Sequence, residues 1–357
     1  MNRRRLRRVL ILAVAAALCL AMAVISSAAE KNSGLRLTLW YDEGECSPAV
    51  MENLAALCQR EAGLRIELQG FPDEAAMGLA FEEERPDLVY CSASRADGFE
   101  KCASLGAAGD ALPLSEGLRA LSPEIGQSFF PIGGRLPLLL VNTALVTQTH
   151  DTLESLLAAA DGSAFLASDD WAELLYTAMC AEGAPMAGDP AEDTNNKTFR
   201  CLYNQLAEAA FRGGLVITEQ PADYVRQGLI PCAVVRSTSI AGLADRDVYV
   251  RPLLLPAGTE PQYPAELMGF ALPEDADTSA AAGFLSWLYG GKAVGEAALA
   301  MGLVPLWETP QAATGLDTAL IGLSRSGLVR WCVSDTAFFR NRERCERWLD
   351  ETLSMLR

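Results

Sequence analysis

The stretch from Leu35 to Ser94 constrains this chain more than any other, because short alternating runs and helical periods follow one another in the order β-α-β-α-β. Leu35, Leu37 and Leu39 recur at period two, the pattern of a strand with one buried face. Ser47 is a good N-cap and Pro48 a good first helical residue. Val50, Leu54, Leu57 and Cys58 then form one apolar stripe that ends at Gly63. Leu64–Leu68 repeats the strand pattern, Asp73–Glu84 reads as a second helix and Asp87–Cys91 as a third strand. Strands separated by helices of this length require right-handed crossovers, which predicts an α/β fold with mainly parallel sheets.

Open α/β sheets bind ligands in the crevice outside the carboxyl ends of their strands. Three segments are predicted there: Trp40-Tyr41-Asp42-Glu43, Gly70-Phe71-Pro72 and Ser92-Ala93-Ser94-Arg95. Trp40 and Tyr41 could stack on a sugar or another planar ligand, or one of them could pack on the neighbouring helix.

Met1–Ala29 places five arginines before a charge-free run from Val9 to Ala29, with the small residues Ser27-Ala28-Ala29 at its end. This reads as a secretory signal peptide, or as an uncleaved anchor with the arginines inside. Either places the body outside the cytoplasm. Leu18 before Cys19 argues against lipid attachment at that cysteine. The 328 residues beyond the leader suffice for two lobes. Those residues carry 24 basic against 46 acidic side chains, a net charge of about −22. Such a body repels phosphate backbones, which argues against nucleic acid as a partner. Ten cysteines include no C-x-x-C pair, and with the single histidine, His150, the usual zinc constellations are absent. The nine cysteines after the leader are read mainly as buried thiols.

Further on, Phe130-Pro131-Ile132-Gly133-Gly134-Arg135-Leu136-Pro137 leads into the apolar run Leu138–Val141 and then Asn142. With the Trp-Tyr strand exit and the Pro86-Asp87-Leu88-Val89 strand, this opening resembles the extracellular solute-binding proteins of ABC importers, family 1, the maltose-binding-protein-like group. Later segments stay in step. Asp151 with Glu154 reads as a capping box, Phe165–Ala167 as a strand, Asp169 or Asp170 as the start of a helix carrying Trp171, and Phe199–Phe211 as a helix. Ile230–Val235 is a buried run ending at Arg236-Ser237-Thr238. The proline-crowded segment Val250–Pro264 reads as an irregular connector. Met268–Leu272 is then a strand, Ser279–Tyr289 and Lys292–Met301 are helices, and Gly302-x-x-Pro305 leads to Trp307. Phe338–Leu356 reads as an amphipathic C-terminal helix.

The resemblance implies a two-lobe periplasmic-binding-protein-like fold with an interlobe cleft. Residues 35–140 and 251–304 would form lobe 1, and residues 141–250 lobe 2 with C-terminal helices of 305–357 packed on it. Hinges would lie near Val141 and at Arg251–Pro252. It implies an extracytoplasmic monomer that captures a small polar solute, a carbohydrate above all, for an ABC permease, without cofactor or metal and without catalysis. Trp40, Tyr41, Asp42, Glu43, Ser92, Ser94, Arg95, Arg236, Ser237 and Trp307 are the expected ligand-binding residues. Aromatic rings with carboxylates suit sugar hydroxyls, whereas Arg95 and Arg236 facing each other would suit an anion. A membrane-tethered sensor of the same fold is the alternative. An exported carboxylate-based hydrolase is a third reading, weakened by the absence of any G-x-S-x-G, phosphate-loop or H-E-x-x-H motif.

Overall fold

A computed structural model describes residues 35–96, 102–146, 153–160, 164–168, 197–218, 220–241, 248–252, 263–307 and 312–333, with isolated positions near the C-terminus. The leader, the Asp151 cap, Trp171, His150 and nearly all of the expected C-terminal helix lie outside the described residues.

The elements run β1 (Arg36–Asp42), α1 (Pro48–Ala62), β2 (Arg65–Phe71), α2 (Glu74–Ala80), β3 (Leu88–Ser92), α3 (Ala93–Ala96), α4 (Ala107–Asp110), α5 (Glu116–Arg119), β4 (Phe129–Arg135) and β5 (Pro137–Asn142). They continue with α6 (Leu153–Ala159), β6 (Leu166–Ser168), α7 (Lys197–Phe211), β7 (Leu215–Ile217), α8 (Pro221–Arg226), β8 (Cys232–Arg236) and β9 (Val248–Pro252). The last are β10 (Tyr263–Ala271), α9 (Thr278–Tyr289), α10 (Ala293–Ala300), β11 (Val304–Pro305), α11 (Gly315–Ser326) and β12 (Val329–Cys332).

Two sheets result. The first has the order β11-β4-β10-β3-β1-β2, with β12 also on β10, and the second β7-β6-β8-β5-β9. This is a two-lobe, mixed α/β architecture.

Local chemistry accounts for the opening unit. Pro48 supplies a fixed φ at the first turn of α1, and Gly63 ends it in the left-handed conformation at φ 71°, a geometry that costs glycine nothing. Met51, Leu54, Cys58 and Ala62 form the buried stripe of α1. Asp73 caps α2 by accepting from Ala76 N at 2.7 Å. β1 pairs in parallel with both β2 and β3, as the crossover rule requires. Asp87 fastens this unit: one carboxylate oxygen accepts from Thr38 N and Thr38 Oγ1 at 2.7 and 2.8 Å. The other oxygen accepts from Asp277 N at the start of α9, at 2.8 Å. α9 is a core helix whose Ala281, Phe284, Leu285 and Leu288 are fully buried.

Strand pairing departs from the sequence reading at the crossings. β5 joins the second sheet from Pro137, opposite Arg236 of β8, so the chain leaves the first sheet at Leu136 rather than at Val141. The buried run Leu138–Leu140 is apolar because it is a central strand of the second sheet, flanked by β8 and β9. The proline-rich connector is also shorter than expected. Pro252 closes β9, an edge strand, and Pro264 lies where β10 pairs with β12 but not yet with β4. Each proline therefore sits in a strand with a ladder edge to spare, the position where a missing N–H costs least. The C-terminal part divides between lobes. α11 packs on β9 and lends Leu316 and Leu320 to the second core, while β12 extends the first sheet through β10.

The directions of the strands position the site. β1, β2, β3 and β4 all end on one edge of the first sheet, because β10 is antiparallel to both β3 and β4. β6, β7 and β8 end on one edge of the second sheet, where antiparallel β5 begins. Only Leu136 separates β4 from β5. The carboxyl edges of both sheets therefore meet at this crossing.

Candidate interlobe site

After β1 the chain makes a tight turn in which Asp42 Oδ1 accepts from Gly44 N at 2.7 Å, and Asp42 O accepts from Glu45 N and Cys46 N at 3.1 and 3.0 Å. The turn fixes Glu45 at the rim of the first sheet. Burial pushes the Asp42 carboxyl above its usual range, more than the Gly44 N–H lowers it.

Glu45 Oε1 is the meeting point of two arginines. Arg135, the last residue of β4, contacts it, and Arg236, the last residue of β8, approaches to 3.7 Å. Arg135 is held from its other side by Glu266 of β10, at 2.6 Å from Nη2 and 2.8 Å from Nε. The Arg135 side chain is 5% exposed, Glu45 20% and Arg236 22%. Both lobes thus contribute to one largely dehydrated ionic cluster beside the crossing. Next to it stands Tyr90, fully buried in β3, whose hydroxyl burial, Cys46 and Glu45 hold well above the usual phenol range.

The expected site residues divide. Trp40 is only 2% exposed and packs on Phe71 and Phe81, at ring-centre distances of 4.9 and 5.3 Å. It is a core ring with no face open for stacking. Tyr41 is 4% exposed. Its hydroxyl and the Glu43 carboxylate fill the space above Gly70, where a Cβ would come within 2.9 and 2.5 Å of them. Burial, and after it the charge of Glu43, raise the Tyr41 pKa. Asp42 and exposed Glu43 remain at the rim.

Arg95 and Arg236 do not form an open anion pair. Arg95 Nη1 lies 3.2 Å from Glu74 Oε1 and its Nη2 donates to Glu74 O at 3.2 Å, while Arg236 is taken by Glu45. Ser92 Oγ accepts from Arg95 N at 3.4 Å, and the backbone of Ser94 lies in α3. Ser237 is buried and stitches the crossing: its N donates to Leu136 O at 3.0 Å, and its Oγ accepts from Leu136 N at 3.4 Å. It is a crossing residue, with no surface for a solute. Trp307 is half-buried against Tyr289, edge-on at 5.1 Å. Trp331 of β12 lies over Gly134, where a Cβ would approach its ring to 2.7 Å.

Glu45, Arg135 and Glu266 were not among the expected site residues. A signal for Arg135 was available, since a lone arginine ends a strand buried at every position, Phe129–Arg135.

Chemically, the junction gathers carboxylates and guanidinium groups from two lobes around one crossing, paired with one another. Burial, and after it the charge of Glu45, pushes the pKa of the neighbouring Cys46 thiol up to about 12.

No protein-family model matches the sequence, and no curated protein does so either. The fold does match solved structures. Maltose-bound T. maritima MalE3 aligns over 91% of this chain and 96% of its own, with a TM-score of 0.67 and 12% identity. The GacH receptor of Streptomyces glaucescens, solved unliganded and with acarbose, aligns over 89% and 93% at TM-score 0.67 and 15% identity. The spermidine/putrescine ABC transporter substrate-binding protein PotD of Streptococcus pneumoniae aligns over 90% and 100% at TM-score 0.66 and 11% identity. The chain therefore has the two-lobe fold of these ABC transporter substrate-binding proteins, matched over about nine-tenths of its length.

Proposed function

We propose that this chain is an extracytoplasmic solute-binding protein that captures a small polar solute, a carbohydrate, between its lobes and delivers it to an ABC permease. One observation carries the reading. The carboxyl edges of both sheets converge on one crossing, where polar side chains from each lobe gather. The fold's likeness to maltose- and acarbose-bound structures supports the choice of a carbohydrate. Asp42, Glu43 and the half-buried Trp307 are the rim residues left to contact it, the carboxylates taking hydroxyl protons and the indole a ring face. The leader, as an export signal or an anchor, supplies the location.

A polyamine is the second reading. It is favoured by Asp42 and Glu43, carboxylates with no ion pair among the described residues, and by the likeness to a spermidine/putrescine protein.

A thermal-shift screen with maltotriose, other saccharides, spermidine and inorganic oxyanions tests both. A solute at a hundred times its dissociation constant adds about 2.7 kcal/mol to the stability of the folded state. A saccharide shift supports the first reading and a spermidine shift the second. A response to oxyanions alone contradicts both.

A further inference from the structure

β2 is the outer strand of the first sheet among the described residues, four strands away from β4 and the crossing. Its pairing with β1 runs residue for residue from Arg65 to Phe71 without a bulge. Arg65 N donates to Leu35 O at 3.3 Å and Phe71 O accepts from Glu43 N at 2.8 Å, so the odd-numbered residues turn their backbone groups towards β1. In a parallel ladder that orientation alternates, which leaves the N–H and C=O of Ile66, Leu68 and Gly70 facing outward. Arg65, Glu67 and Gln69 are exposed, and Ile66 and Leu68 are only half-buried against the core. Open edges are commonly blunted by like charges, lysines above all. This edge carries instead an arginine and a glutamate two residues apart, a pattern that complements itself when one strand is reversed against another.

We propose that β2 pairs antiparallel with β2 of a second copy of this chain, about a two-fold axis at Ile66. Backbone parity and charge together select this register. Hydrogen bonds form only where an outward residue meets an outward residue, so Ile66 can lie opposite Gly70, Leu68 or Ile66 of the second copy. Opposite Gly70, it sets Arg65 against Phe71 and Glu67 against Gln69 and makes no ion pair. Opposite Leu68, it brings the two Glu67 side chains together, a like-charge contact that destabilises. Opposite Ile66, it sets Arg65 of each chain against Glu67 of the other, at the non-hydrogen-bonded positions where side chains lie closest. Within one chain Glu67 stands 3.6 Å from both Arg36 and Arg65, in exposed pairs that cost little to exchange for the arginine of a second copy. A net charge of about −22 on each body opposes the approach, and salt screens it within about 8 Å at physiological ionic strength. The dimer is therefore weak, and it forms better at that salt than below it. The overlap ends at Leu68 and leaves Gly70, Phe71 and the cleft rim uncovered, so pairing of two copies and capture of a solute are compatible. The inference departs from the monomer that the family resemblance implies and does not depend on which solute is bound.

Sedimentation velocity of the purified protein, over a rising concentration series at physiological salt, tests the pairing. The wild type is expected to pass from monomer to dimer. Arg65→Glu and Glu67→Arg each turn two attractive pairs into two repulsive ones and should weaken self-association by roughly tenfold or more. Mixed in equal amounts, the two variants should form a heterodimer more tightly than either associates with itself, because every facing pair is then opposite in charge. The double variant Arg65→Glu/Glu67→Arg should regain the wild-type dimer. The two side chains are 60% and 43% exposed, so these substitutions leave the core intact, and melting temperatures near that of the wild type check it. Amide exchange followed by NMR reads the register: Ile66 and Leu68 should slow on dimerisation while Gly70, beyond the overlap, does not. A monomer at every concentration, a dimer indifferent to both charge reversals, or no gain on mixing the two variants would overturn the proposal.

Discussion

Replacing Arg135 by methionine leaves the hydrocarbon volume of the side chain largely in place and removes only its charge and donors. The arginine is 5% exposed and joins Glu266, 10% exposed, with Glu45, 20% exposed. Removing one partner of a buried ion pair strands the other and costs about 3–5 kcal/mol. Glu45 keeps Arg236 and some hydration, so the loss should sit near the lower end, about 3 kcal/mol and mostly through Glu266. A domain of 150–250 residues loses roughly 2–4 °C of Tm per kcal/mol, which places the expected fall at roughly 6–12 °C. Calorimetry at pH 7 measures it, with Arg135→Met/Glu266→Gln as the partner experiment. The double variant should recover a substantial part of the loss, because the stranded carboxylate is gone. A fall of less than about 1 kcal/mol for the single variant, or no recovery in the double, would refute the view that this cluster is desolvated and mutually dependent.

Gly302 lies at φ 72°, and a Cβ there would stand 2.3 Å from Ser237 O across the lobe junction, so Gly302→Ala should cost more than the roughly 1–2 kcal/mol of left-handed backbone strain alone, read by urea denaturation. Phe284→Ala, in a fully buried position against Phe270 at 5.1 Å, should cost about 3–5 kcal/mol in the same assay. Asp42 carries a pH prediction. Its folded pKa is raised by burial, so the ionised side chain weakens the fold above that pKa, and the penalty fades as pH falls through the folded value towards the unfolded one. Asp42→Asn keeps an acceptor for Gly44 N and should therefore raise the melting temperature at pH 7 but not at pH 3. A gain at both pH values would show that its charge is not the cause.

What the sequence disclosed was local, and what it concealed was paired at long range. Pro48, Gly63 and Asp73 mark helix ends through their own backbone and side-chain chemistry, so α1 and the start of α2 were legible residue by residue. The period-two leucines fixed β1, but its neighbour Trp40 shows the limit: a strand exit says where a ring sits, while the side it takes depends on Phe71 and Phe81 far along the chain. The change of sheet at Leu136 was hidden because an apolar run looks alike in either lobe, and only its pairing with β8 and β9 assigns it. The cluster of Glu45, Arg135 and Glu266 spans separations of 90 and 131 residues, beyond any pattern readable in a window. Pro252 and Pro264 misled for a similar reason, since whether a strand edge is free is a property of the whole sheet.

The most direct test of the central claim is amide hydrogen exchange on the purified protein with and without the saccharide that stabilises it most in the thermal-shift screen. The account predicts slowed exchange in both lobes at once, over residues 41–46 and 92–95 after β1 and β3 and over residues 236–240 after β8, with the distant α5 region of residues 116–119 unchanged. Protection confined to one lobe, or falling away from these strand exits, would contradict it.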